Sequence, residues 1–363
     1  MVRLFDGIYA YVHPMGANCN IYAFKDGPDI DLIDTGIKRL GMFRWLWKQM
    51  RRDGLEPTNI RNIFHPHVHV DHVQSDRIFQ ERAVRHRGKV NVYFPQPDAH
   101  RFQHDYRVLR SNFNELNGYF QPYPKKFVRG LRVFSTFFGD PFLHYQTPSN
   151  LIGYNNGQKL RIGNRKCRVY TTGGHTEGHS FFFFDDEDKI LVNSDGWCIN
   201  EFTSDFGKVL SALNLAKHLD PENLLGGHDP LHLGLEKARS DRMGSQRRLD
   251  TMLRPILMQL KPGKEIDLMC PAHRRVGMGF SVRIVQMWAL MSIYCMGKAL
   301  EKFNIGRMML NNTGDLRFSV SVDPAIQDMV DSFRISVAEK DHSGCEEVYK
   351  QMSNSTAIFH PIQ

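Results

Sequence analysis

The residue pattern predicts an α/β protein with layered sheets, and three observations carry that expectation. Short runs rich in Val, Ile, Phe and Tyr, closed by Gly, Asp or Asn, recur through the first 235 or so residues. Stretches with helical spacing lie between them, the interleaving that builds strands and helices into layers. After about His232 the pattern becomes mostly helical until one late strand-like segment, which suggests a second, smaller module.

Taken in order, the strand-like runs are Ile8–His13, Cys19–Phe24, Ile30–Ile33, Asn62–Phe64, Val90–Phe94, Cys167–Tyr170, Ser180–Phe184, Ile190–Val192 and Asn223–Leu225. The unbroken Phe181–Phe184 run fits a strand buried on both faces. Helices are expected over Leu40–Arg52, Asp76–Arg87 and Phe206–Leu219. Residues 97–148 are aromatic, basic and punctuated by proline, and read as an insertion placed to form a lid or substrate wall. Beyond them, Arg247–Leu260 and Ile284–Phe303 read as helices, the first with a kink at Pro255. The turn signal Asn311–Asp315 then precedes an alternating run, Arg317–Val322, so that helices followed by a small β-wing suggest a winged-helix-like module.

Composition sets the outer limits. A chain of 363 residues with 41% hydrophobic content can bury a substantial core. The start, Met1–Gly7, has no apolar run behind a basic segment, so no secretory signal is expected. The most apolar later stretch, Ile284–Gly297, is too short to span a bilayer, so no membrane partner is expected. Six cysteines without a CxxC pair suit a reducing compartment, which makes the cytoplasm the expected location. The formal charge of +8 favours anionic partners, whether a small anionic substrate or RNA, although such basic runs are more often solvated helix faces.

One constellation carries chemistry. His67-Val68-His69-Val70-Asp71-His72 follows the apolar run ending at Phe64, placing four metal-ligand types on one loop at a strand end. His67 and His69, two residues apart, can point to one side while Asp71 and His72 turn to a neighbouring point, so two ions can share the loop. Downstream, Gly174-His175-Thr176-Glu177-Gly178-His179 precedes a strand, Asp195 ends the next, and Gly227-His228 ends another. His65 and His175 read as imidazoles that brace these loops, the usual task of groups beside ligands. Cys198, three residues after Asp195, reads as buried filler.

This ordered set, HxHxDH, GHTxGH, an Asp after a strand and a Gly-His after a strand, resembles the metallo-β-lactamase superfamily over Leu4 to Gly234, with Asp34-Thr35-Gly36 included. The resemblance implies an αββα sandwich over residues 1–235, followed by the helical, winged-helix-like module over 236–363. It implies that His67, His69 and His179 hold one ion, that Asp71, His72 and His228 hold a second, that Asp195 bridges them, and that Asp34 supports the loops. Pro66 and Val73-Gln74-Ser75 depart from the family's usual Ser or Thr and its Gly-rich continuation. Imidazole and carboxylate ligands without thiolate suit two zinc ions, with iron and manganese as alternatives. The implied activity is hydrolysis of a small ester, thioester or lactone, Asp71 orienting the attacking water or taking its proton. The resemblance also admits two alternatives. A winged-helix tail is found on relatives that cleave single-stranded RNA, while iron-dependent redox relatives tend to carry Glu where this chain has His69.

Overall fold

The computed structural model describes residues 2–12, 19–38, 42–99, 147–198, 204–228, 231–245, 263–267, 301, 306–310 and 316–320. Residues 100–146 of the expected lid, and both expected C-terminal helices apart from residue 301, lie outside these.

Two sheets form the body of the protein. The first runs in the order β1 (Val2–Phe5), β2 (Ile8–Tyr11), β3 (Ile21–Asp26), β4 (Asp29–Ile33), β5 (Ile60–Phe64), β6 (Asn91–Pro95), β7 (Leu151–Tyr154). Its first four strands are antiparallel, whereas β4 to β7 run parallel. The second sheet has the order β13 (His232–Leu233), β12 (Asn223–Gly226), β11 (Ile190–Ser194), β10 (Ser180–Phe184), β9 (Arg165–Thr171), β8 (Lys159–Ile162), with β11 and β12 parallel.

Alternation along the strands decides what each face buries. In β3, Tyr22 and Phe24 join Phe64, Tyr154, Phe182, Phe184, Val192 and Leu225 in a core that draws on both sheets. Ile21 and Ala23 face the opposite way, against Phe43, Leu46 and Met50 of α1 (Met42–Arg52) and Phe79 and Ala83 of α3 (Asp76–Arg87). These helical residues recur every three or four positions, which makes one apolar stripe per helix. All of Ser180–Phe184 is buried, as its unbroken apolar run predicts. Helix α4 (Phe206–Leu219) buries Val209, Leu213 and Ala216; its N-cap Asp205 accepts from the Lys208 N–H at 3.1 Å. Two sheets lined by helices make the mixed α/β architecture that the sequence predicts.

Additional elements appear. The one-turn helix α2 (Val70–Val73) lies inside the first metal motif, and β1, β7, β8 and β13 extend the sheets. A third sheet joins β14 (Glu265–Asp267), β16 (Leu316–Val320) and β15 (Gly306–Leu310) in that order, and the turn expected over Asn311–Asp315 lies outside the described residues. No helix among the described residues is long and apolar enough to cross a membrane.

The topology assembles the site at strand ends. Strands β4 and β5 finish at Ile33 and Phe64, just before Asp34 and His65, while β11 and β12 finish just before Asp195 and Gly227. Carboxyl ends of parallel strands are where open α/β sheets present ligand-binding loops. The two edges are tied together: Asn20 and Tyr22 side chains donate to the Gly226 carbonyl at 3.0 and 2.7 Å.

Candidate metal centre

Two contiguous groups of ligand atoms occupy that edge. The first comprises His67, His69, His175 and Asp195; the second comprises Asp71, His72 and His228. In the first, His69 Nδ1 lies 3.1 Å from His67 Nε2 and 3.0 Å from His175 Nε2. In the second, His72 Nε2 lies 3.3 Å from His228 Nε2, which is 3.1 Å from Asp71 Oδ2. Asp195 stands between them: its Oδ2 is 3.6 Å from His175, 3.9 Å from His67, 3.6 Å from His72 and 3.5 Å from His228.

The family resemblance implies His179 beside His67 and His69, with His175 as a brace; in the structure the ligand atoms that cluster with His67 and His69 are those of His175 and Asp195. His175 Nδ1 donates to the Cys198 carbonyl at 3.1 Å, which turns Nε2, with its lone pair, toward His69. His179 sits where the loop rejoins the hairpin, its carbonyl accepting from the Thr172 and Gly173 N–H groups. Its Nδ1 donates to the Thr172 hydroxyl at 2.7 Å, and its ring centroid is 5.4 Å from that of His67. His179 belongs to neither ligand group.

The donor set fits divalent cations. His72 Nδ1 donates to Asp34 Oδ2 at 2.7 Å, so His72, like His175, presents an Nε2 lone pair to the centre. Imidazole nitrogens facing one another at 3.0–3.3 Å cannot satisfy each other as acceptors. Two nitrogens on one tetrahedral zinc, each about 2.0–2.1 Å from it, stand about 3.3 Å apart. Asp195 Oδ1 is also buried without a hydrogen-bond partner among the described residues. A Cβ added at Gly227 would fall 1.9 Å from that oxygen, so only glycine leaves room for the carboxylate.

Electrostatics hold most of these groups in ligating form. Burial, reinforced by the surrounding imidazoles, keeps His67 neutral. Burial opposes ionisation of Asp71 and Asp195, but His72 and His228 outweigh it and hold both carboxyls below the usual range. Burial lowers His72, but Asp34, Asp71 and a hydrogen bond to Asp195 outweigh it and raise it; a divalent cation takes the place of that proton. Cys19 packs against Asp34 and His72, but burial pushes its thiol up to about 12, so it stands there as a neutral group.

Two further features flank the groups, the first at a residue that the sequence does not single out. Buried Asp98 joins the two His-bearing loops, accepting from the Val68 N–H at 3.4 Å, the Thr176 hydroxyl at 2.8 Å and the Gly178 N–H at 2.7 Å. Asp34 and Ser194 adopt positive φ, 63° and 45°, a left-handed conformation that costs non-glycine residues about 1–3 kcal/mol and clusters at functional sites.

The architecture is that of the metallo-β-lactamase fold. Among solved structures, a metallo-β-lactamase family protein from Thermus thermophilus superposes with TM-score 0.58 at 16% identity, covering 87% of this chain and 99% of its own. A β-lactamase domain protein from Burkholderia ambifaria gives 0.64 at 16% identity, covering 88% and 93%. A metallo-β-lactamase from Cronobacter sakazakii gives 0.50 at 11% identity, covering 71% and 98%. No protein-family model and no curated protein matches the sequence.

Proposed function

We propose that the chain is a dinuclear metal-dependent hydrolase acting on a small ester, thioester or lactone. One observation carries the reading: seven ligand side chains form two adjoining groups with Asp195 reaching both. His67, His69 and His175 would hold one ion, Asp71, His72 and His228 the other, and Asp195 both, with His175 in the place first expected for His179. Ligands of this type suit zinc. Bound ions supply a water acidified toward neutral pH and polarise a carbonyl or phosphoryl oxygen.

The chain's own groups do the rest. Asp71, part-exposed beside His228, is placed to orient water or take its proton at the mouth of the site. Asp34 and the Cys198 carbonyl orient His72 and His175. Free thiols at Cys19, Cys167 and Cys198 accord with the cytoplasm as the working compartment.

RNA cleavage is a second reading, favoured by a surface groove of about 460 Å³ whose described lining carries Arg44, Lys48, Arg51, Arg52 and Arg82 and no carboxylate. Arg82 is set 5.0 Å above the Phe43 ring and 5.1 Å above that of Trp47. The test is chelator-treated protein, reloaded with zinc, manganese or iron, assayed against thioesters, lactones, esters and single-stranded RNA. Metal-restored turnover of a small acyl substrate supports the first reading. Turnover of RNA alone, with salt-sensitive binding, supports the second; turnover indifferent to chelation overturns both.

A further inference from the structure

A buried charge network lies directly behind the second ligand group. His65 is fully buried, its backbone fixed by the N–H bond to the Tyr93 carbonyl at 2.9 Å. Its Nδ1 is 3.0 Å from Asp34 Oδ1, and its Nε2 is 3.0 Å from both oxygens of Asp76. Carboxylates only accept, so both ring nitrogens donate. Asp34 uses its other oxygen on His72 Nδ1 at 2.7 Å, which completes an unbroken chain from Asp76 through His65 and Asp34 to His72.

The same unit also holds the His72 backbone. The Thr35 hydroxyl lies 2.7 Å from Asp76 Oδ1 and 3.0 Å from the His72 carbonyl, which also accepts from the Thr35 and Gly36 N–H groups at 2.8 and 3.0 Å. Asp34 and Asp76 are both buried, and two buried carboxylates this close repel unless a cation joins them. His65 is the joint. With neither carboxylate free to turn, Asp34 is held in the orientation that serves His72.

Resting on the metal-centre reading above, we propose that His65 and Asp76 are positioning residues for the second ion. By locking Asp34 they set the affinity of the group formed by Asp71, His72 and His228. They do not set that of the group formed by His67, His69 and His175. The bond chain ends on His72, a member of the second group, and none of its hydrogen bonds falls on a side chain of His67, His69 or His175, which is why the effect should fall on one ion.

The test is a titration of the full-length protein and of its His65→Gln and Asp76→Asn variants with Zn2+ against a chromophoric chelator. It is paired with Co2+ absorption spectra and with metal-free melting temperatures. The wild type should bind two ions. In each variant one should bind about 10- to 100-fold more weakly, the loss typical when a group supporting a ligand is removed. The other should hold within about twofold, and only one Co2+ band should change. Both ions retained within twofold, or both weakened in step with a lower melting temperature, would overturn the proposal and leave the metal centre standing. A wild type that binds no ion would overturn the metal centre itself. Should the variants fail to fold, 15N NMR of wild-type histidines decides. Protons on both His65 nitrogens and on His72 Nδ1 support the chain of bonds, and a bare nitrogen at either His65 position refutes it.

Discussion

Gly227→Ala is a sharp perturbation because it adds one methyl group where the structure has no room. The new Cβ would lie 1.9 Å from Asp195 Oδ1 and 3.2 Å from His72 Cε1. Ordinary contact needs about 3.4 Å or more, so the carboxylate must retreat by well over 1 Å. Metal ligands tolerate displacements of only about 0.2 Å, so Asp195 would leave any ion it holds. Gly227 is absent from the positive-φ positions, so the alanine backbone is permitted and the cost is steric. Overpacking of this kind destabilises by about 1–3 kcal/mol, which a folded domain survives. The expected result is a folded protein, by circular dichroism and thermal melting, whose affinity for both ions falls at least about 10-fold in competition with a chelator. A folded Gly227→Ala protein with wild-type affinity for both ions would refute the reasoning that Asp195 is shared.

Further outcomes follow from the same geometry. His175→Ala should lose one ion, whereas His179→Ala should keep both and lose about 1–3 kcal/mol from the vacated hydrogen bond and packing; elemental analysis with melting curves separates them, and the reverse pattern would restore His179 as ligand. His65 is raised from 6.5 to about 9, Asp76 and Asp34 outweighing its burial. A raised folded-state value stabilises fully below about 6.5 and is lost as pH rises through about 9, a contribution of about 3 kcal/mol. Denaturation of metal-free wild type and His65→Gln should therefore differ more at pH 6 than at pH 10, and a pH-independent difference would contradict this. Asp98→Asn should leave one of three donors facing an amide NH2, lowering stability by about 1–3 kcal/mol in urea melts and weakening both ions; an unchanged melt would remove Asp98 as the tie between the loops.

Much of the fold is legible because its central elements carry clear local signals, helical spacing and length in two of them and an unbroken apolar run in the third. Asp76–Arg87, Phe206–Leu219 and Ser180–Phe184 were expected with the bounds the structure gives them. Edge elements were not. Strand β8 alternates exposed Lys159 and Arg161 with buried Leu160 and Ile162, a short amphipathic run that its charges disguise as loop. Helix α2 is a single turn, too short for any period to show. The HxHxDH residues, Asp195 and His228 stand out in the sequence as candidate ligands because each lies at or just beyond the end of an apolar strand, and the structure brings their side chains together. His175 and His179 were not separable by sequence: both are buried in one motif, and what distinguishes them is a long-range partner, the Cys198 carbonyl for one and the Thr172 hydroxyl for the other. Asp98 gave no signal because its partners lie 30, 78 and 80 positions away.

Metal content is the most direct test of the central claim. Elemental analysis of the purified wild type and of a His67→Ala/Asp195→Ala double variant should find about two divalent ions per chain in the first and loss of that stoichiometry in the second. A wild type without bound metal, or a double variant that keeps its full complement, would contradict the account.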